Sequence, residues 1–307
     1  MSRALVLGGG GPLGIAWQAG LLGRLQHLGI TFADADLILG TSAGSVVGAA
    51  LATDGDLAAL AQQVTGSLPT PAGTTADIPA LQALTADAVA TTATAEEAMA
   101  RIGQYALAAA TVDESGYVGS EVFASFAATA WPAAFRCTGI DAKTGRLRVW
   151  DAADGYDLPS ALAASCAVPG LFPPITVGGA RYLDGGMLSP LNVPLAAGYD
   201  EVVVVSCFAL SLPAGIVDPG AQQRLAEIGE LRRQGAKVTV IEPSQRFLDI
   251  SGWGADVMDT SRAPAAYEAG VQQAEQVSER TVGDAGGRGD LIHRRTLDRE
   301  TASWRRG

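Results

Sequence analysis

One pentapeptide, Gly40-Thr41-Ser42-Ala43-Gly44, most constrains how this chain can fold. It follows the short apolar run Leu37–Leu39 and opens into a second apolar segment at Ser45. A serine between a buried strand and a helix, flanked by glycines, is typical of a nucleophile elbow. Glycines permit the strained turn and the close packing of strand against helix. A glycine-rich chain also carries this pattern in ordinary turns, so the neighbouring segments must decide between the two interpretations.

A glycine run lies at the end of the first predicted strand, Ala4–Leu7. It comprises Gly8–Gly11, and we predict a helix after it from about Ile15 to Leu28. Without side chains, the backbone N–H groups of the run can converge on an anion. Parallel pairing of this strand with Leu37–Gly40 gives a βαβ unit. Both the glycine run and Ser42 then lie at C-terminal strand ends, where open α/β sheets place their sites.

The glycine run also fits a dinucleotide-binding fingerprint. Gly9, Gly11 and Gly14 have the G-x-G-x-x-G spacing, and Asp34 lies twenty residues after Gly14. In a dinucleotide site, however, the acidic residue follows the second strand and contacts the ribose. Here Asp34 precedes that strand, whose far end carries Ser42 instead. A non-catalytic nucleotide-binding module is therefore an alternative that these positions do not favour.

Composition excludes several classes of protein. The chain has 307 residues, of which 48% are hydrophobic and 17% charged, as in a well-packed α/β domain. Its formal net charge of −11 argues against a nucleic-acid partner and against electrostatic anchoring on anionic membranes. Any lipid contact is therefore expected to be apolar and transient.

Cysteine and histidine usage gives no sign of a metal site. Cys137, Cys166 and Cys207 are scattered through apolar runs, which predicts small buried side chains in a reducing compartment. There is no CxxC pair, and only His27 and His293 could add nitrogen ligands, so we expect no structural zinc. Glycines and prolines interrupt the long uncharged stretches, which excludes spanning helices and a signal peptide and predicts a cytoplasmic protein.

The rest of the chain alternates strand-like and helix-like segments. We predict a single α/β domain over residues 1–282, with a mainly parallel sheet and helices on both faces. Within it, residues 66–115 form a helical insertion or lid, in which Ala-rich sequence predicts helix from about Asp77 to Val112. Residues 283–307, with glycines and mixed charges, are expected to be a flexible tail.

A serine hydroxyl needs a base before it can attack a carbonyl, and that base is commonly a histidine. Neither histidine fits, because His27 lies near the end of the first helix and His293 in the predicted tail. A carboxylate acting directly on the serine is the remaining choice. Asp184 follows the strand-like segment Arg181–Leu183 and precedes two glycines, which gives it access to the sheet edge. An ordinary Asp-Gly turn is the other interpretation.

Four motifs follow one another along the chain: the glycine run to Gly14, the pentapeptide around Ser42, the segment Ala164–Pro169, and Asp184-Gly185-Gly186. In this order they resemble the patatin-like phospholipases, over roughly residues 4–210. The resemblance implies a three-layer patatin-like sandwich with a mainly parallel central sheet. It also implies a Ser/Asp dyad that hydrolyses acyl esters of lipids, with Ser42 as nucleophile and Asp184 as general base.

The resemblance further implies an oxyanion hole made by backbone N–H groups. Its donors are Gly9, Gly10 and Gly11, with the N–H of Ala43 added by the elbow. The motif glycines are Gly14, Gly40, Gly44, Gly185 and Gly186, and we interpret Ser165 and Asn192 as scaffold. Many family members carry Arg or Lys after the glycine run, where this chain has Pro12-Leu13. The hole would therefore rely on glycine amides and the helix dipole, which predicts modest turnover.

The sequence thus predicts a serine hydrolase of the phospholipase A or lysophospholipase type, which works through an acyl-enzyme on lipid or other acyl-ester substrates. Such an enzyme requires no metal and no organic cofactor, calcium included. Two alternatives from other classes stay open. The same dyad could transfer acyl groups to an acceptor other than water, or the glycine run could serve a nucleotide-binding module.

Overall fold

The computed structural model describes residues 1–65, 78–212 and 219–284. Residues 66–77 of the predicted insertion and residues 285–307 of the tail predicted from residue 283 lie outside the described residues, whereas residues 283 and 284 belong to the last described helix. The strands in this part of the chain are β1 (Arg3–Leu7), β2 (Leu37–Gly40), β3 (Phe135–Asp141), β4 (Leu147–Trp150), β5 (Ile175–Val177), β6 (Ala180–Asp184), β7 (Glu201–Val205) and β8 (Lys237–Ile241). The α-helices are α1 (Gly11–His27), α2 (Ala43–Ala52), α3 (Leu57–Gln63), α4 (Ile78–Thr91), α5 (Ala95–Ala108), α6 (Glu114–Val118), α7 (Glu121–Ala124), α8 (Leu158–Ser165), α9 (Pro219–Arg233), α10 (Gln245–Ile250) and α11 (Ala263–Asp284).

The strands form one mixed sheet. Its order is β5-β6-β3-β2-β1-β7-β8, with β4 on the second edge of β3. Strands β3, β2, β1, β7 and β8 are parallel, whereas β4, β5 and β6 add antiparallel pairs at one end. This arrangement confirms the predicted α/β fold with a mainly parallel central sheet.

Side-chain alternation along β1 separates the two faces of the sheet. Leu5 and Leu7 belong to the large core cluster that includes side chains of α1, α2 and α11. Ala4 and Val6 point to the opposite face and pack in a second cluster with side chains of α9. Successive residues of a strand face opposite sides, so the apolar run of β1 must be covered on both. Helices on both faces thus complete the three-layer sandwich.

Strands β2 and β6 meet head to head along one edge of β3. Gly40, the last residue of β2, pairs with Cys137, and Asp184, the last residue of β6, pairs with Gly139. The opposite edge of β3 is occupied by β4, which pairs with both Cys137 and Gly139. Strand β2 runs parallel to β3 and β6 runs antiparallel to it, so their C-terminal ends point at each other. The fold therefore brings the residues after Gly40 close to Asp184.

Helix α1 begins earlier than predicted. It starts at Gly11 instead of Ile15, because the N–H of Gly14 donates to the carbonyl of Gly10 at 2.8 Å and closes the first turn. Pro12 suits this first turn, since its fixed φ is already helical and its missing N–H is not needed there. Only Gly8 to Gly10 of the glycine run form a loop.

The helical segment predicted from Asp77 to Val112 is divided in two. Helix α4 ends at Thr91, and Thr94 caps α5 by accepting a hydrogen bond from the N–H of Glu97 at 3.1 Å. This is the Thr-x-x-Glu pattern of a helix start. Helix α5 packs Met99 and Ile102 against Ile140 of the sheet. That part of the predicted insertion therefore contributes to a core cluster, and the lid function stays a prediction.

Helices α1 and α11 cross at two glycines. A side chain on Gly20 would lie 2.2 Å from the carbonyl oxygen of Tyr267, and one on Gly270 would lie 2.2 Å from the carbonyl oxygen of Trp17. The two backbones approach so closely that each helix needs a residue without Cβ at the crossing. Helix α11 is thereby fixed against the helix that follows the glycine run.

Candidate active site

Ser42 occupies a strained turn between β2 and α2. Its backbone has φ 52° and ψ −121°, a conformation that residues with side chains rarely adopt. Gly40 and Gly44 allow this turn, because a Cβ on Gly40 would lie 2.4 Å from Ser45 and one on Gly44 would lie 2.1 Å from the carbonyl oxygen of Leu7. The turn therefore places Ser42 at the end of the sheet, and it requires residues without a side chain at positions 40 and 44.

The Ser42 hydroxyl donates a hydrogen bond to Asp184. The distance from Ser42 Oγ to Asp184 Oδ2 is 2.7 Å, within the range of a short charge-assisted bond. The other carboxylate oxygen, Oδ1, accepts from the N–H of Gly186 at 2.7 Å. The N–H of Asp184 itself donates to the carbonyl of Ala167 at 3.0 Å. Both carboxylate oxygens are thus held, and one of them faces the serine.

Burial tunes the acidity of Asp184. The residue is 4% exposed, and this loss of hydration raises the pKa of its carboxyl to about 6, although hydrogen bonds from Ser42 and Gly186 favour the charged form. A base with a pKa in this range is mostly ionised at neutral pH and accepts protons more readily than an exposed carboxylate.

Two residues that the sequence suggested as scaffold contact Ser42 and Asp184 directly or through one neighbour. Ser165 Oγ accepts a hydrogen bond from the N–H of Ser42 at 3.0 Å. Asn192 Nδ2 donates to Thr41 Oγ1 at 3.1 Å and to the carbonyl of Gly185 at 3.3 Å. Asn192 thus joins the residue before Ser42 to the residue after Asp184. Sequence spacing gave no sign of these contacts, since 150 or so positions separate Thr41 from Asn192.

The glycine run supplies fewer free donors than predicted. The N–H of Gly9 donates to the carbonyl of Pro190 at 2.8 Å, so Gly9 cannot also serve an oxyanion. Its neighbour Gly8 likewise donates to Val205 at 3.0 Å. Within the described residues, the N–H groups of Gly10, Gly11 and Ala43 have no hydrogen-bond partner. These three groups lie where α1 and α2 begin, so both helix dipoles favour negative charge there.

Gly14, the last motif glycine of this segment, has a packing role. A side chain on it would lie 3.1 Å from the sulfur of Cys207 and 3.4 Å from the Cβ of Ala43. Gly185 is equally confined, because its Cβ would lie 2.3 Å from Thr138 Oγ1. These glycines let the glycine run, the elbow and the Asp184 turn approach one another.

An apolar pocket opens beside the serine. It encloses about 340 Å³ together with its mouth, and Ser42, Ala43 and Gly11 form one side of it. Cys166, predicted to be a small buried side chain, is partly exposed and lies in this pocket. Burial among apolar groups, followed by the nearby charge of Asp184, raises the pKa of its thiol, which keeps the sulfur neutral. The other described lining residues are Pro12, Ile15, Tyr117, Val122, Phe123, Val168, Phe172 and Met258.

The remaining candidate residues lie elsewhere or outside the described residues. His27 is exposed at the end of α1, where its Nδ1 lies 2.7 Å from the carbonyl oxygen of Gly23, and His293 is outside the described residues. Asp34 forms an ion pair with Arg3 at the start of β1, the end of the strand opposite Ser42. It is therefore not placed to bind a ribose at the glycine run.

The described residues contain neither a metal-binding cluster nor a membrane-spanning helix. In the described part of the chain, no group of three or more His, Cys, Asp or Glu side chains is arranged to hold a metal ion. Among its helices, none combines the length and the apolar character needed to cross a bilayer.

Comparisons with known proteins bear on the family of this chain. A sequence model described as "Patatin-like phospholipase" matches residues 5–197, well over half of the chain. Comparison with curated proteins found no significant match. Among solved structures, VipD from Legionella pneumophila is 13% identical with a TM-score of 0.43, over 91% of this chain and 67% of VipD. The type III effector protein ExoU is 18% identical with a TM-score of 0.37, over 89% of this chain and 53% of ExoU, so the chain spans about half of ExoU. On the extent of the sequence match, the chain belongs to the patatin-like phospholipase family.

Proposed function

We propose that the protein hydrolyses carboxylic ester bonds of lipids, with Ser42 as nucleophile and Asp184 as general base. Membership of the family supports lipid acyl hydrolase activity in general. The observation that carries the finer proposal is the 2.7 Å hydrogen bond from Ser42 Oγ to the buried carboxylate of Asp184. The apolar pocket next to the serine supports an acyl substrate.

In the first step, Ser42 Oγ attacks the ester carbonyl carbon while its proton passes to Asp184. The carbonyl oxygen becomes negatively charged, and the unpartnered N–H groups of Gly10, Gly11 and Ala43 are the donors available to it. The carbon–oxygen bond to the alcohol then breaks, and the proton on Asp184 moves to the departing alkoxide. The products of this step are the alcohol and an acyl-enzyme on Ser42.

In the second step, water replaces the alcohol. Asp184 takes a proton from the water as its oxygen attacks the acyl carbon, and the same N–H groups stabilise the second oxyanion. The bond between the acyl carbon and Ser42 Oγ breaks, the proton returns to the serine, and the carboxylic acid leaves. The dyad is then restored. An alcohol in place of water would give acyl transfer, which product analysis with an added acceptor alcohol distinguishes from hydrolysis.

Covalent labelling tests the proposal. Wild-type protein is incubated with a fluorophosphonate probe and the modified peptide is identified by mass spectrometry. We expect labelling on Ser42, no labelling of Ser42→Ala, and much slower labelling of Asp184→Asn. Ser160→Ala, a change on α8 away from the dyad, is the matched control and is expected to label at the wild-type rate. Unchanged labelling of Asp184→Asn would reject Asp184 as the base.

A further inference from the structure

We propose that the pocket beside Ser42 binds a single short acyl chain, and that the rings of Tyr117, Phe123 and Phe172 limit its length. This inference rests on the proposed function and names its substrate class. The substrates would be lipid esters with a short acyl chain, with little constraint on the alcohol part.

The size of the pocket carries the first step of the argument. Even with its open mouth counted, the empty space of the pocket is about 340 Å³. The enclosed part is therefore smaller than most small-molecule sites, which enclose roughly 300–1,000 Å³. A cavity of this kind has room for one thin apolar chain and none for two.

Three aromatic rings form a rigid wall of this pocket. The rings of Tyr117 and Phe172 are stacked with centroids 4.4 Å apart, and Phe123 meets Tyr117 edge-on at 5.2 Å. Each of the three residues is at most 2% exposed. The hydroxyl of Tyr117 donates to the carbonyl of Cys166 at 2.9 Å, which fixes the central ring. An acyl chain that reaches these rings can extend further only by displacing tightly packed core side chains, which is unfavourable.

The entrance of the pocket lies away from the three aromatic rings. Cys166, Val168 and Met258 line the same pocket but are partly exposed, so they form its rim. Of these, Met258 has the flexible side chain that adapts to an entering ligand. Depth therefore increases from this rim toward the buried rings.

The order of the two chemical steps indicates which part of the ester enters. The acyl group stays bonded to Ser42 after the first step, whereas the alcohol must leave before water attacks. A pocket that ends at a wall suits the group that stays, and the open side suits the group that leaves. Gly11 and Ala43, two of the proposed oxyanion donors, also line the pocket. A carbonyl oxygen held by them leaves its acyl chain adjacent to the aromatic wall.

Chain-length profiles test the inference. The substrates are p-nitrophenyl acetate, butyrate, octanoate and palmitate, which share one leaving group, and kcat/KM is measured for each. For wild-type protein we expect the highest value with a short chain and a value at least about tenfold lower with palmitate, since each methylene in a pocket matters by about tenfold or more. Removing a ring with Phe123→Ala is expected to move the optimum to a longer chain.

A matched control and a change in the opposite direction complete the test. Phe126→Ala removes a ring that is buried three residues further along and does not line the pocket, so the profile should stay as in wild type. Val122→Phe reduces the space in the buried part of the same pocket and should shift the optimum to a shorter chain, which keeps the test valid even where Phe123→Ala does not fold. Butyl and dodecyl esters of one short acid vary the alcohol instead and should react alike.

Three results would overturn the inference. Palmitate cleaved by wild type as well as butyrate would do so, as would a folded Phe123→Ala protein with an unchanged profile. Equal rates for all acyl chains with a strong dependence on the alcohol would place the alcohol in the pocket. In each of these cases Ser42 is still labelled by the phosphonate and the proposed function stands. Absence of both labelling and ester hydrolysis would reject the proposed function, and this inference with it.

Discussion

Ser42 has a strained backbone, and among the described residues its N–H donates a hydrogen bond to one partner, which is a side chain. That side chain is Ser165, which is fully buried at the C-terminal end of α8. Two residues later, the carbonyl of Ala167 accepts the N–H of Asp184. One short segment therefore holds the backbone of both dyad residues. We regard Ser165 as a positioning residue that keeps the serine hydroxyl at its distance from the carboxylate.

Replacing Ser165 tests this role. Ser165→Ala leaves the Ser42 N–H without an acceptor, and a displacement of the nucleophile by about 1 Å can lower a rate by about 100-fold. We expect kcat to fall by about 10- to 100-fold with little change in KM, measured with a soluble short-chain ester. Ser165→Thr keeps a hydroxyl and should restore most of kcat. A fall in melting temperature with kcat unchanged would mean that Ser165 only supports the fold.

The raised pKa of Asp184 predicts the pH dependence of the reaction. The carboxylate must be ionised to accept the serine proton, so kcat/KM should rise about tenfold per pH unit below about pH 6 and level off above it. Stopped assays in overlapping buffers give the profile. His27→Ala and His293→Ala should leave unchanged the acid limb of the profile, which is the rise of kcat/KM below about pH 6. Loss of the limb in either variant would indicate a histidine base instead.

At the scale of elements, the local sequence pattern predicts some features of the fold and gives no information about others. Strand, glycine run, helix and elbow are all encoded within the first fifty residues, so their type and order follow from periodicity and glycine placement. The antiparallel pairing of β6 with β3 depends on contacts between residues distant in sequence. The same holds for the Gly9 N–H, which is taken by Pro190, and for Ser165. Hydrogen bonds across such separations leave no periodic signal in a single sequence.

The crossing of α1 and α11 gives a prediction about packing. Gly270→Ala places a methyl group against the backbone of Trp17, where overpacking typically lowers the free energy of unfolding by about 1–3 kcal/mol. Gly229→Ala is the matched control, because nothing lies within 4 Å of its added Cβ. That helical change should be neutral or stabilise by about 0.5–1 kcal/mol. Urea unfolding measures both, and equal effects would contradict the close crossing.

At the scale of the whole molecule, the buried carboxyl of Asp184 reduces the stability of the native state at neutral pH. The pKa of Asp184 rises from 3.8 to about 6 on folding, so its protonated form stabilises the fold below about pH 4. That contribution is lost as the pH rises through about 6. The pH range in which the base becomes active is therefore the range in which the fold loses stability.

Asp184→Asn isolates this effect, since the amide does not ionise. The free energy of unfolding of the variant should exceed that of wild type by about 1–3 kcal/mol at pH 7.5, so the variant is more stable there. This difference should disappear near pH 4. Denaturant unfolding of both proteins at the two pH values gives the comparison. A variant that is less stable than wild type at pH 7.5 would show that the buried carboxylate does not lower the free energy of unfolding.

The head-to-head meeting of β2 and β6 has a consequence for how activity appears during biosynthesis. Ser42 follows β2 and leaves the ribosome 142 residues before Asp184, which ends β6 in a different part of the sheet. Until both strands pair with β3, Ser42 lacks its proposed base. Under the proposed mechanism, ester cleavage therefore requires completed assembly of this sheet edge, and a chain released before residue 184 would contain the elbow but have no activity.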